Sequence, residues 1–193
     1  MDQPSDPYLI SIQCSSIYEL IPHITPTLPS WIIQEEIIRP DIPWDYFGGA
    51  LDANDHCGVG IIIHINAKKI LKYFVGIGTG SNKFAELKNL KILLCWLRQL
   101  GIVSAQIFSD SMNMIKWSNN MQRCQNLTLI PILDEILYIK SAFVNLTVCH
   151  IYRERNMEAD YFSKKGLQQA LDTWHIIDLD NRMVTESDRP PYF

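Results

Sequence analysis

Glu86, Asp110 and Asp160 are the residues whose type and placement point to chemistry. Glu86 lies in SNKFAEL, at the start of an expected helix. Asp110 follows a short apolar strand in FSDS, and Asp160 lies in NMEAD, one turn into a later helix. Carboxylates projected from strand ends and helix starts can meet at one point, and hard oxygen ligands are what magnesium or manganese take. Two such ions would activate a water and stabilise a leaving oxygen in phosphodiester hydrolysis. Each acid also has an ordinary reading: Glu86 favours the helix dipole, Asp110 caps the next helix, and Asp160 is a solvated side chain. Only their arrangement together points to a site.

The pattern around them supplies the framework. Trp44 to Leu51 reads as a strand, followed by the turn cluster Asp52-Ala-Asn-Asp. Cys57 to Ile65 and Ile70 to Gly78 complete an antiparallel meander. A helix then starts at an N-cap, Ser81 or Asn82, with Leu87, Leu90, Leu94 and Leu97 on one face, and stops at Gly101. Ala105 to Ser109 is a buried strand, Ser111 to Asn119 and Thr128 to Phe143 are helices, Asn145 to Tyr152 is a strand, and Asn156 to Ala170 is a helix. This β-β-β-α-β-α-α-β-α order predicts an α/β domain: a five-stranded mixed sheet, meander plus two parallel strands, with helices on both faces. The domain is expected over 44–171. Residues 1–43, punctuated by Pro4, Pro7, Pro22, Pro26, Pro29, Pro40 and Pro43, read as a leader with a short helix around Trp31 to Ile38. Residues 172–193 read as a polar, loosely held tail.

Composition sets limits. At 193 residues and 47% hydrophobic, the chain can bury one sizeable core. The net charge of −4 gives no general attraction to polyanions, so phosphate binding would need a local basic face. Lys83, Lys88, Lys91, Lys116, Arg153, Arg155, Lys164 and Lys165 are the candidates, and Trp96 and Trp117 read as core residues. The five cysteines are scattered without a CxxC pair, as expected of reduced thiols in an intracellular protein, in a compartment the sequence does not specify. No apolar run reaches membrane-span length, and no signal peptide is evident at MDQPSDPY.

Three segments in order resemble the signature of type 1 ribonuclease H: Asn82 to Glu86 (Asn-x-x-Ala-Glu), Asp110-Ser111, and HIYRERNMEAD from His150 to Asp160. The last is the most specific, and SKKGL after it resembles the plant retroelement, reverse transcriptase-like branch. The resemblance covers about residues 44 to 170. It implies endonucleolytic cleavage of RNA in an RNA–DNA hybrid with two magnesium or manganese ions. It assigns Glu86, Asp110 and Asp160 as catalytic, metal-binding acids, and Asn82 as a hybrid contact in the minor groove, where 2′-hydroxyls mark RNA. No Tyr-x-Asp-Asp string occurs, so a reverse transcriptase partner would be encoded elsewhere.

The chain departs from that pattern at one place. The family's first acid belongs in a Phe-Asp-Gly-Ala motif, and here the stretch is Phe47-Gly48-Gly49-Ala50. The resemblance implies that this acid bridges both ions, and Gly48 offers no side-chain ligand. Asp45 has the wrong strand parity to replace it, and Asp52 would lie about 13 Å away at about 3.3 Å per residue. Only a bulge at the glycine pair would change that. Severe loss of cleavage is therefore expected, leaving two readings: an impaired ribonuclease H, or a catalytically silent hybrid-binding or interaction module of retroelement origin.

Overall fold

The computed structural model describes residues 38–180 and 183–187. β1 (Trp44–Leu51), β2 (His56–His64) and β3 (Lys69–Thr79) form the meander. α1 (Asn82–Gln99) starts where Ser81 Oγ accepts a hydrogen bond from Phe84 N at 3.2 Å, and it ends at Gly101, whose φ of +72° suits a residue without Cβ. β4 (Ser104–Ser109) then runs parallel to β1, α2 (Met112–Ser118) and α3 (Ile130–Lys140) follow, and β5 (Asn145–His150) runs parallel to β4. A single 3-10 turn, Arg153–Arg155, leads into α4 (Met157–Gly166).

Among the described residues the sheet has seven strands, in the order β5-β4-β1-β2-β3-β6-β7, where five were expected. The additional strands are β6 (Trp174–Asp180) and β7 (Met183–Ser187), within the stretch expected to be a loose tail. β6 is held by antiparallel pairing with β3, by Lys69 bridging Asp178 and Asp180 at 3.5 and 3.1 Å, and by Trp174, whose ring lies edge-on to Trp96, and β7 pairs antiparallel with β6. The expected helix at Trp31 to Ile38 lies outside the described residues except for Ile38, which is irregular. Just after it, the Gln106 side chain accepts from Arg39 N and donates to Arg39 O, both at 2.9 Å, tying the chain entering β1 to β4.

The main core lies between the sheet and α1–α3, where Leu87, Leu90, Leu94 and Leu97 meet Phe47, Ile61, Ile63 and Ile107. Trp96 and Trp117 belong to it, as their apolar neighbours predict. The opposite face is covered by α4 through a smaller cluster of Ile62, Phe74, Ala159 and Phe162. α4 lies almost directly on the strands: a Cβ at Gly60 would come within 2.3 Å of Ser163 N. Among the described residues no helix is long and apolar enough to cross a membrane.

Candidate active site

Side chains alternate along β1, and the two faces meet different helices. Phe47 joins the main core under α1, and a Cβ at Gly49 would lie 2.8 Å from Glu86 N, so α1 packs directly on Gly49. Gly48 faces the other way. A Cβ there would lie 3.3 Å from Asp160 N and 3.4 Å from Ala159 C, against the first turn of α4. The position therefore looks toward Asp160 and has room for a side chain if α4 yields by a few tenths of an ångström.

Asp110 leaves the end of β4 and is linked to this point by Asn156, which precedes α4. Its Nδ2 donates to Asp110 Oδ1 at 2.6 Å and to Phe47 O at 3.0 Å. On the α1 side, Glu86 Oε2 accepts from Ser111 Oγ at 2.5 Å and Oε1 from Asn82 Nδ2 at 2.9 Å. Burial pushes the Glu86 carboxyl above the usual range, hydrogen bonds from Ser111 and Asn82 counter it, and the nearby Asp110 charge adds to the rise. Asp160 is paired with Lys164 at 2.7 Å and Arg153 at 3.7 Å. The structure thus connects Asn82, Glu86 and Ser111 in one network and Asp110, Asn156 and Phe47 in a second. Asp160 stands beside Gly48.

Two further asparagines belong here that the sequence reading did not single out. Asn89 is fully buried on α1 and donates from Nδ2 to Gly48 O at 2.5 Å and Gly60 O at 3.0 Å, stapling the register pair Gly48–Gly60 to the helix. Asn82, Glu86 and Asn89 recur at i, i+4 and i+7, a polar stripe on an otherwise apolar helix, and that spacing was the available signal. Asn156 sits inside HIYRERNMEAD, where its role is visible only once β1 and β4 are placed beside it.

Among the described residues no other acid fills the position at Gly48. Pairing of β1 with β2 is unbroken from Trp44 to Leu51, so no bulge shifts the glycine pair. Asp45 is completely buried on the α1 side, and among the described residues neither of its carboxylate oxygens has a hydrogen-bond partner. Asp52 lies past the strand end and is occupied by His56 and by Asn54 N. Among the described residues no group of three or more His, Cys, Asp or Glu side chains is placed to hold a metal ion. The residues present do not fit a two-ion centre: at least one oxygen of each acid is taken by a protein donor, and Gly48, the strand position beside Asp160, carries no carboxylate.

A family model described as reverse transcriptase-like matches residues 46–166, which include Gly48 and all three acids. The chain belongs to the reverse transcriptase-like family. Solved structures show that this member has the type 1 ribonuclease H fold. RNase H1 from the halophilic archaeon Halobacterium salinarum is 22% identical with a TM-score of 0.62, covering 66% of this chain and 98% of that one. LC11-RNase H1, isolated from compost and solved in complex with an RNA/DNA hybrid, is 23% identical with a TM-score of 0.58, covering 65% and 96%. The prototype foamy virus protease–reverse transcriptase is 17% identical with a TM-score of 0.54, covering 71% of this chain and 22% of the viral one.

Proposed function

We propose that this reverse transcriptase-like family member is a ribonuclease H-type, RNA–DNA hybrid-binding domain whose ancestral hybrid cleavage is severely impaired at Gly48. The observation that carries the reading is the geometry at that glycine. It faces Asp160 N on an unbulged strand, in the position from which a carboxylate would join Asp110 and Asp160, and neither Asp45 nor Asp52 reaches it. Removing groups that merely support a metal ligand typically costs about 10- to 100-fold in affinity or activity. Loss of a ligand itself should cost at least about a hundredfold in rate, about 2.7 kcal/mol.

Glu86, Asp110 and Asp160 are the remaining members of the ancestral acid set, Asn82 is the hybrid contact, and magnesium or manganese is the ion class they served. The plant retroelement branch belongs to the same reading, supported by SKKGL, and a reverse transcriptase is the partner class it suggests. Free Cys57, Cys95, Cys124 and Cys149 accord with an intracellular protein. The capture of each acid by protein donors also favours the second reading, a silent hybrid-binding module. Purified chain titrated with a fluorescent RNA–DNA hybrid should bind it with affinity falling as salt rises, while cleavage in magnesium or manganese stays near background. No salt-dependent binding would discard both readings.

A further inference from the structure

We infer that Tyr152 and Tyr161, beside the degenerate cleft, form a stacking surface for single-stranded nucleic acid. Both rings are about half exposed, at 50% and 54%, and Met157 near them is 66% exposed. Both are linked to the same acid through their chain neighbours. Tyr161 follows Asp160 in the chain, and Tyr152 precedes Arg153, whose guanidinium reaches Asp160. Tyr152 is braced edge-on by His150 at 6.2 Å, Tyr161 edge-on by Phe162 at 5.3 Å, and Lys165 Nζ lies 5.1 Å from the Tyr161 ring centre. Lys165 thus stands over one face of Tyr161, and both tyrosines remain about half exposed at the surface.

The charges around the rings fit a phosphate backbone. Four basic residues, Arg153, Arg155, Lys164 and Lys165, adjoin Glu154 and Asp160 in the chain, while Glu158 is matched by Lys72. Arg153 and Lys164 are engaged by Asp160. Arg155 and Lys165 make no ion pair among the described residues; Lys165 Nζ lies over the Tyr161 ring and Arg155 N donates to Tyr152 O at 2.9 Å, so each tyrosine has an unpaired basic residue next to it. Exposed aromatic faces interleaved with cations suit unpaired bases and their phosphates. A duplex keeps its base faces stacked inside, so an intact hybrid offers these rings nothing to stack on. The inference therefore rests on this patch and not on the hybrid-binding reading of the cleft.

Fluorescence anisotropy of the full chain with a labelled oligothymidylate of about 15 nucleotides tests it, in parallel with a blunt-ended RNA–DNA hybrid and without divalent ions. Wild type should bind the single strand with a log–log salt slope of about −1.4, as two phosphate contacts require, and Arg155→Ala should reduce the slope by about 0.7. Tyr152→Ala and Tyr161→Ala should each weaken single-strand binding about tenfold and leave hybrid binding unchanged, while Tyr→Phe variants keep it. Hybrid binding without single-strand binding overturns the inference and leaves the proposed function standing. Binding of neither overturns both. Equal weakening of hybrid and single strand by the alanine variants also overturns it, because the tyrosines would then serve the duplex cleft.

Discussion

Asp45→Asn should remove a pH dependence of stability that the wild-type chain carries. Asp45 is completely buried, in register with Ile63 and Ile107, and neither of its oxygens has a hydrogen-bond partner among the described residues. Burial pushes its carboxyl well above the usual range, so the folded protein keeps this proton to higher pH than the unfolded chain does. The unfolded chain releases that proton above about pH 3.9. Between that value and the raised folded one, the native state binds the extra proton, so stability falls as pH rises, by about 1.4 kcal/mol per pH unit. Against a typical total of about 5–15 kcal/mol this is a large slope. His64 acts in the opposite sense, since burial holds it down to about 4. The unfolded state carries more protons at this residue up to about pH 6.5, so its contribution rises with pH to that point and is flat above it. Glu86, raised by burial, adds to the slope of Asp45. Comparing wild type with Asp45→Asn cancels both. Urea midpoints measured between about pH 5 and pH 8 should diverge, with the asparagine variant gaining on wild type as pH rises. Parallel curves, or a wild type that gains on the variant, would refute the placement of Asp45 as an unpartnered core acid.

Three stability predictions follow from the packing around the site. Gly60→Ala places a methyl 2.3 Å from Ser163 N and 2.5 Å from Ala159 O, so α4 must lift, with a loss of about 3 kcal/mol or more by thermal melting. Asn89→Ala leaves the Gly48 and Gly60 carbonyls without their donor and should cost about 2 kcal/mol, with faster amide exchange in β1 and β2. Trp174→Ala removes the ring packed on Trp96 and should cost about 3–5 kcal/mol while exposing β3 to exchange.

The meander, the long apolar helix and the two parallel strands are legible in the sequence because their apolar residues keep one period and the glycine and turn residues punctuate them. β6 is not. WHIIDLD breaks period-two alternation, and its aspartates look solvated until Lys69 on the neighbouring strand is placed between them. The three acids stand out because each follows a recognisable local string. Asn156 and Asn89 do not, because an asparagine acquires its role from backbone carbonyls distant in sequence, here Phe47, Gly48 and Gly60. Gly48 is visible as a departure from sequence alone, whereas the direction it faces required the helix beneath it.

The most direct test of the account is hybrid cleavage by wild type beside Gly48→Asp, in magnesium and in manganese, with equal hybrid binding checked first. A Cβ at position 48 meets α4 backbone no closer than 3.3 Å, so the aspartate can be built toward Asp160. Wild type should stay near background while Gly48→Asp cleaves the RNA strand at least about a hundredfold faster. Metal-dependent cleavage by wild type at the rate of the aspartate variant would contradict the claim that Gly48 disables the site.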